Sequence, residues 1–255
     1  MTWSIDAITD DLYRRKFVNV PDIIADWLAP YGGLNEKEIL DFGCGEGTAA
    51  LGLALRFNPS RIVGVEIHGE IDNCERYARS QLKLGTLPQR LQLIKTTAET
   101  QLSDLGPFDI VYSWSVFEHV RQDLVGDRLK QIYKSLRKGG FMFLQTTPLF
   151  YSPYGSHFWV LQDPWCHLRM QHDLLYDTLR AKVSDKGQVE GLIHTYETLN
   201  RTTAPNIVNA VEAAGFEVVR EYSTKTDIEP SRDLLEVYNY DVLTQEQLVI
   251  LGRKN

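Results

Sequence analysis

Cysteine is scarce in this chain of 255 residues, which contains only Cys44, Cys74 and Cys166. An odd and sparse set does not build the paired disulfides that stabilise small secreted proteins, and it is typical of a reducing compartment. Long apolar runs are also missing, because no stretch approaches the roughly 18 residues that a membrane span requires. We therefore expect a cytoplasmic protein without a membrane span.

Basic runs are absent as well. The chain has 27 basic and 34 acidic residues, which gives a net charge of −7, and this balance is not that of a general nucleic-acid binder. The first six residues have no basic start, apolar stretch or cleavage site, so a signal peptide is not expected. The expected partner is a small molecule and not nucleic acid, and no feature indicates an oligomeric state.

Apolar runs and helical stripes alternate along most of the chain. Helices are predicted at residues 20–28, 48–57, 70–84 and 207–214, and around a stripe from Leu129 to Leu136. Gly85 would cap the third of these, and Gly139 and Gly140 would end the stripe. Strands are predicted at residues 39–42, 62–65, 91–94, 108–112, 141–144, 216–222 and 248–251. This alternation predicts an α/β fold with a parallel sheet and right-handed crossovers.

The alternation breaks after Thr147. Residues 148–176 hold seven aromatic residues and three of the six histidines. One interpretation is an irregular segment that packs on its own aromatic side chains. The position after a sheet strand favours the other interpretation, a substrate lid or pocket. We expect a lid-like insertion after the fifth strand, extending to about residue 200.

A strand that ends in alternate glycines is the most informative motif. Asp41-Phe42-Gly43-Cys44-Gly45-Glu46-Gly47 leads from a predicted strand into a predicted helix. Glycine permits positive φ and lets a ligand approach the backbone, and the following helix offers free N–H groups. The spacing is G-x-G-x-G and not the dinucleotide-binding G-x-G-x-x-G, because position 48 is threonine.

This loop resembles that of the class I S-adenosylmethionine (SAM)-dependent methyltransferases, and the chain is similar to their small-molecule (UbiE-like) group. The resemblance implies SAM as cofactor and S-adenosylhomocysteine (SAH) as product. It implies a Rossmann-like, doubly wound, mostly parallel seven-stranded sheet in a single domain, residues 1–255, with an N-terminal helical segment, residues 1–37. By motif, Asp41, Gly43 and Gly45 would lie near the methionyl end of SAM, and Cys44 would be a small packing residue within this cofactor-binding loop.

Three further segments match cofactor-binding positions of this family. The acid that ends the second strand would accept the ribose hydroxyls, as acids do in nicotinamide-binding folds. The segment after the third strand would hold the adenine unless it is a plain polar loop, and the end of the fourth strand would border the sulfonium and the adenine. The residues concerned are, in that order, Glu66 and Ile67; Ala98 and Glu99; and Ser113, Trp114 and Ser115.

Two histidines are candidates for the general base that a protonated acceptor would require. His119 follows the fourth strand in Glu-His-Val, and His157 lies in a tyrosine-rich segment with a glycine. Each also has a purely structural interpretation. The candidate substrate-binding residues are Tyr151, Tyr154, His157 and Trp159.

A metal site is not expected. Some quinone-pathway O-methyltransferases of this group bind a divalent metal, and they carry an extra glutamate three residues before the Glu-His pair. That position is Ser115 here. His167 and His172 lie five residues apart, a spacing that matches no usual zinc pattern.

The motifs together predict a SAM-dependent methyltransferase for a small or medium-sized metabolite, with oxygen as the favoured acceptor atom. A non-catalytic SAM-binding protein is one alternative, because an intact cofactor loop predicts binding but not turnover. A nicotinamide-dependent oxidoreductase is a weaker alternative, because Thr48 stands where its fingerprint needs glycine.

Overall fold

The computed structural model describes residues 3–255, so Met1 and Thr2, the start of the predicted N-terminal helical segment, lie outside the described residues. The strands are β1 (Glu38–Phe42), β2 (Arg61–Glu66), β3 (Leu91–Lys95), β4 (Phe108–Trp114), β5 (Leu136–Thr146), β6 (Glu217–Lys225) and β7 (Gln245–Arg253). The α-helices are α1 (Asp11–Arg14), α2 (Val20–Leu28), α3 (Thr48–Arg56), α4 (Cys74–Leu82), α5 (Val125–Ser135), α6 (Cys166–Arg169), α7 (His172–Lys182), α8 (Lys186–Thr198), α9 (Ala204–Ala213), α10 (Arg232–Leu235) and α11 (Tyr240–Thr244). A π-helical turn spans Arg15–Asn19, and 3₁₀ turns span Ile5–Ala7, Ala29–Tyr31, Gly69–Asn73, Leu102–Asp104, Gln122–Leu124 and Trp159–Leu161.

The strands form one sheet in the order β3-β2-β1-β4-β5-β7-β6. β1 pairs in parallel with β2 and with β4, and β2 pairs in parallel with β3. The expected α/β class with a mostly parallel, Rossmann-like seven-stranded sheet is confirmed. The strand order reverses at β1, and open α/β sheets bind ligands outside the carboxyl ends of the strands at such a switch point.

The register of β1 explains which loops meet at its carboxyl end. Asp41 lies opposite Gly64 in β2 and opposite Tyr112 in β4. Ile39 and Leu40 are fully buried, as expected for a central strand that is covered on both faces. The loop that follows β1 therefore begins beside the ends of β2 and β4.

The described residues divide into two compact units, of which the first comprises residues 3–114 together with Gln131–Phe143 and Leu251–Asn255. The π-helical turn Arg15–Asn19, called the N-terminal turn below, packs closely on α3. A Cβ atom at Gly52 would lie 2.2 Å from the carbonyl oxygen of Phe17, so glycine is what allows the two backbones to approach. Trp27 of α2 packs edge-on against Phe143, with ring centroids 5.5 Å apart.

The second unit comprises Ser115–Lys130 and Leu144–Ile250. The insertion after β5 contributes α6, α7 and α8, so it is largely helical and not one irregular loop. Its aromatic residues build a core of their own, in which Phe150 and Phe158 pack on the buried Tyr196 with centroid distances of 6.1 and 5.0 Å. The lid-like motion of this insertion and the single-domain organisation stay predictions.

Two predicted helix ends are wrong. Gly139 and Gly140 do not end a helix, because α5 ends at Ser135 and β5 begins at Leu136. The Gly139 N–H donates to the carbonyl oxygen of Lys254 (2.7 Å), and the Lys254 N–H donates to that of Gly140 (2.9 Å), so pairing with the chain's last residues draws both glycines into the sheet. Helix α4 is ended by Lys83 in the left-handed conformation, φ 56°, and not by Gly85.

Candidate functional site

The glycine loop after β1 folds back onto β2. The N–H groups of Gly43 and Cys44 both donate to the carbonyl oxygen of Val65, each at 3.0 Å. Gly43, Gly45 and Gly47 have φ values of 77°, 53° and 74°, in the region that favours glycine. A Cβ atom at Gly45 would meet nothing within 4 Å. The backbone at Gly45 therefore borders open space, into which a ligand can fit.

Cys44 packs within this loop. A Cβ atom at Gly64 would lie 2.9 Å from Cys44 Sγ, so the glycine in β2 makes room for the thiol. Burial raises the pKa of the Cys44 thiol well above its usual range, which keeps the group neutral and unreactive. The structure thus places Cys44 as a packing residue. Sequence reasoning missed Gly64, although an isolated glycine in a strand signals close approach of another group.

Glu66 lies at the end of β2 and anchors the loop. Its Oε2 accepts a hydrogen bond from the Gly45 N–H (2.9 Å), and its Oε1 accepts from the N–H groups of Ile67 (2.7 Å) and His68 (3.1 Å). A carboxylate offers about four acceptor positions, so Oε2 keeps room for one hydroxyl. A grip on both ribose hydroxyls would require sharing one of the Oε1 bonds.

Asp41 joins the ends of β1 and β4. Its Oδ2 accepts a hydrogen bond of 2.6 Å from the Tyr112 hydroxyl, and both side chains are buried. Burial, with a smaller contribution from the Glu66 carboxylate, raises the pKa of Asp41 to about 7 against the opposing effect of the Tyr112 hydrogen bond. Sequence reasoning missed Tyr112, because its partner lies in a strand that is distant along the chain.

The predicted adenine-binding segment follows β3 beside Glu66. The Thr96 N–H donates to the carbonyl oxygen of Glu66 (2.8 Å), which fixes the start of this segment. Ala98 and Glu99 are exposed, and the side chain of Ile67 is 54% exposed. An exposed isoleucine directly after Glu66 offers an apolar surface on which an adenine ring can lie.

The end of β4 carries a buried hydroxyl group, at Ser113, and an aromatic side chain, at Trp114. Ser113 Oγ is buried and has no hydrogen-bond partner within residues 3–255, so it is free to bind a ligand atom. Trp114 stacks on Phe143, with ring centroids 6.2 Å apart and planes 4° from parallel. The groups at Gly45, Glu66 and Ser113 fit the polar parts of SAM.

Ser115 has a left-handed backbone, φ 54°, which is uncommon for a residue other than glycine. Gln145 of β5 holds it there. The Ser115 N–H donates to Gln145 Oε1 (2.9 Å) and to the Gln145 carbonyl oxygen (3.0 Å), and the Ser115 hydroxyl donates to Oε1 (3.1 Å). Sequence reasoning missed Gln145, whose only signal is a polar residue in an apolar strand.

Four of the predicted catalytic and substrate-binding residues lie together in the second unit. The rings of His119 and His157 meet edge to face, with centroids 5.2 Å apart. Trp159 lies 6.0 Å from His157 and 6.0 Å from Tyr154. We call His119, Tyr154, His157 and Trp159 the ring cluster. Tyr151 does not join it, because its ring packs on Phe150 and Tyr238.

His157 is the more unusual histidine. Its backbone is left-handed, φ 62°, and its Nε2 is buried without a hydrogen-bond partner within the described part of the chain. Burial, followed by the neighbouring His119 and His167, lowers the pKa of His157 to about 4. The imidazole is therefore neutral at pH 7, with Nε2 able to accept a proton. His119 is exposed.

The backbone around His119 is held by Asn200, which sequence reasoning did not single out. The Asn200 side-chain amide donates to the carbonyl oxygens of Phe117 (2.5 Å) and Val120 (3.1 Å), and its N–H donates to that of Glu118 (2.7 Å). These three bonds fix the turn that presents His119.

Glu118 is a buried acid beside this turn. Its Oε2 accepts a hydrogen bond from the Thr146 hydroxyl (2.7 Å), and Oε1 has no partner within residues 3–255. Burial raises the pKa of Glu118 to about 8, so the side chain is largely neutral at pH 7.

A salt bridge from the N-terminal turn reaches the glycine loop. Lys16 Nζ lies 2.8 Å from Glu46 Oε2. Sequence reasoning missed this contact, because neither residue stands out from the many charged residues of the chain.

Within residues 3–255, no group of three or more histidine, cysteine, aspartate or glutamate side chains is arranged to hold a metal ion. No helix in the same range is both long enough and apolar enough to cross a membrane.

In comparison with known protein families, residues 14–221 match the methyltransferase-domain family. The ubiquinone biosynthesis O-methyltransferase of Rickettsia bellii is 27% identical over 146 residues. This alignment covers 56% of this chain and 56% of that protein, so the chain spans about half the length of the curated relatives that it matches.

Solved structures share the fold. Magnesium protoporphyrin IX methyltransferase from Synechocystis PCC 6803 with bound SAH superposes with a TM-score of 0.55 at 13% identity, covering 95% of this chain and 85% of that one. The same protein with bound SAM also gives a TM-score of 0.55, at 14% identity, covering 95% and 81%. At these identities the likeness concerns the fold alone.

Proposed function

Since this chain belongs to the methyltransferase-domain family, we propose that it is a SAM-dependent methyltransferase and that it methylates a hydroxyl oxygen of a small or medium-sized metabolite. The observation that carries this proposal is the ring cluster, in which a neutral histidine with an unpartnered Nε2 lies among aromatic side chains. The name of the Rickettsia bellii relative, an O-methyltransferase, supports oxygen as the acceptor atom.

We assign cofactor binding to the carboxyl ends of β1, β2 and β4 and to the segments that follow β1 to β4. SAM, when bound, supplies an electrophilic methyl group on a sulfonium. The glycine loop offers backbone groups, Glu66 offers one acceptor position to the ribose, and Ile67 offers an apolar surface to the adenine. The assigned residues are Asp41, Gly43, Cys44, Gly45, Glu66, Ile67, Ala98, Glu99, Ser113, Trp114 and Ser115.

The acceptor is a planar molecule in this proposal. The side chain of Trp159 is 54% exposed and Tyr154 is partly exposed, so both present flat faces for offset or edge-to-face stacking. Phenols, catechols and sugars with one apolar face satisfy this geometry. Tyr151 is a weaker candidate, because its ring is already packed.

His157 is the proposed base. Methyl transfer is an in-line displacement, in which the acceptor oxygen gains the methyl group and loses its own proton. Neutral Nε2 of His157 takes this proton, and exposed His119 passes it on to water. Since the two rings touch, a positive charge on one disfavours a charge on the other, which promotes release of the proton.

The acceptor class is tested with purified protein, SAM and a panel of phenols, catechols, sugars and amines, with SAH formation as the readout. Methylation of a hydroxyl compound is the expected result. Transfer to amines alone would contradict the proposed acceptor atom, whereas SAM binding without transfer to any hydroxyl would contradict the acceptor class.

The base is tested by His157→Asn, with His194→Asn as the matched control because His194 is an exposed histidine on α8. We expect kcat to fall by about 10²- to 10⁴-fold in His157→Asn, with the Kd for SAH unchanged. The ratio of the wild-type rate to the His157→Asn rate, in which the titration of Asp41 near pH 7 cancels, should fall as the pH approaches 4, where His157 becomes protonated. A wild-type rate in His157→Asn would show that His157 is not the base.

A further inference from the structure

A cavity lies at the amino edge of the sheet, within the first unit. It is lined by the end of α2 and the turn after it, by Lys37 directly before β1, and by residues near the start of β4 and β5, and its volume is about 220 Å³. The candidate cofactor residues follow the opposite ends of these strands. Since a strand rises about 3.3 Å per residue, the five residues of β1 separate the cavity from the glycine loop by roughly 15 Å.

The cavity carries an excess of positive charge. Lys37, Arg137, Lys138 and Asp109 line it. The negative charge of Asp109 is already paired, because its Oδ2 lies 3.1 Å from Arg137 Nη1. The same oxygen accepts a hydrogen bond from the Glu38 N–H at 2.8 Å. Neither lysine ammonium pairs with a carboxylate anywhere in the part of the chain that the structure describes. Two unpaired cations therefore line this cavity in a chain whose net charge is −7.

The same cavity has an aromatic wall. The rings of Tyr31 and Phe141 lie 4.8 Å apart and 40° from parallel, and the side chain of Tyr31 is 40% exposed. The Arg253 guanidinium lies 6.0 Å from the centroid of the Phe141 ring, which holds this ring in place. Leu28 and Ile110, both buried, complete the apolar surface.

Two glycines of the lining border open space. Gly33 and Gly139 both line the cavity, and a Cβ atom at either would meet nothing within 4 Å. The volume is below the roughly 300–1,000 Å³ of pockets that hold drug-sized ligands. The occupant must therefore be small, with an apolar planar body and one anionic group.

We propose that this cavity binds a small aromatic carboxylate, at a site separate from the cofactor loop. The carboxylate pairs with Lys37 and Lys138, and the ring lies against Tyr31 and Phe141. A ligand with only a charge would leave the rings of Tyr31 and Phe141 without a contact, and one with only an apolar ring would leave Lys37 and Lys138 unpaired. The site does not depend on which molecule accepts the methyl group.

The test is calorimetric titration of the SAH-saturated protein with 2-naphthoate, with 2-naphthol and inorganic phosphate as comparison probes. Saturation with SAH prevents the probe from entering the cofactor site, and binding of an aromatic probe at the proposed acceptor site is recognised because it persists in Tyr31→Leu. We expect 2-naphthoate to bind and the other two to bind at least about tenfold more weakly, since each lacks one half of the recognition. Equal binding of phosphate would overturn the aromatic part of the proposal, and equal binding of 2-naphthol that Tyr31→Leu weakens would overturn the anionic part.

Variants locate the binding. Lys37→Gln combined with Lys138→Gln should weaken 2-naphthoate binding by about tenfold, and Tyr31→Leu should weaken it while leaving the charge unchanged. Lys182→Gln combined with Lys186→Gln is the matched control, because these lysines are exposed on α7 and α8, away from the cavity lining, and the change in net charge is identical. Absence of 2-naphthoate binding to the wild type, or identical affinities in both double variants, would overturn the proposal.

Discussion

Replacing Glu66 by alanine tests the proposed cofactor site most directly. The substitution removes the acceptor of three backbone N–H groups, those of Gly45, Ile67 and His68. It also removes the one acceptor position of Oε2 that is left for a ribose hydroxyl. The cofactor therefore loses a charged hydrogen-bond partner, and the glycine loop loses its anchor.

The expected loss of affinity follows from these bonds. A hydrogen bond to a charged group contributes about 1.5–3 kcal/mol, and water that enters in place of the carboxylate recovers part of it. We expect a net loss of about 1–3 kcal/mol in cofactor binding, which corresponds to a rise of about 5- to 150-fold in the Kd for SAH. Glu66→Gln, which keeps the shape, should lie between wild type and alanine.

Calorimetric titration with SAH measures these constants, and Glu70→Ala is the matched control because Glu70 is an exposed acid four residues further along. A second ligand separates direct contact from loop anchoring. To the wild type, SAH that lacks one ribose hydroxyl should bind more weakly than SAH. To Glu66→Ala, the two ligands should bind with equal affinity, because the carboxylate that would bind this hydroxyl is already absent. An unchanged Kd for SAH in Glu66→Ala would refute the assignment of Glu66 to the ribose.

Three further changes have defined outcomes. Gly52→Ala should destabilise the fold by about 1–3 kcal/mol in urea unfolding, since the new Cβ would clash with the carbonyl oxygen of Phe17. The control Gly191→Ala, in open space within α8, should instead stabilise the fold by up to about 1 kcal/mol. Equal effects of the two substitutions would contradict the close packing of Phe17 on α3. The raised pKa of Glu118 means that the wild type loses free energy of unfolding as the pH rises from 4.5 to 8. Glu118→Gln lacks this titration, so its free energy of unfolding should rise relative to that of the wild type by up to about 1.4 kcal/mol per pH unit in this range. Parallel curves of unfolding free energy against pH would contradict a neutral buried acid. Asn200→Ala should increase amide hydrogen exchange in the turn that carries His119, because the Asn200 side chain binds the carbonyl oxygens of Phe117 and Val120 in this turn. Unchanged exchange would show that other contacts hold the turn.

The sequence was sufficient for the positions of most strands and helices and for the loop that follows β1. Helix α2 was predicted with the bounds that it has, because Pro21 and the apolar spacing of residues 23–28 act within a few residues of each other. The glycine loop and Glu66 were recognisable for the same reason, since each is marked by residue types at the end of a strand. Gly139 and Gly140 show where local reasoning fails, because pairing with Lys254 overrides their tendency to end a helix.

The tertiary structure decided the contacts between residues that are distant along the chain. Asp41 and Tyr112 lie 71 residues apart, and Asn200 lies 80 residues from Val120. No periodicity or motif reports such pairs, because which strands become neighbours depends on the packing of the whole sheet. The same holds for burial, which makes His157 a neutral base candidate while His119 stays exposed. Residue types thus determined which chemistry the chain can carry, and desolvation and strand order determined which of those residues share a site.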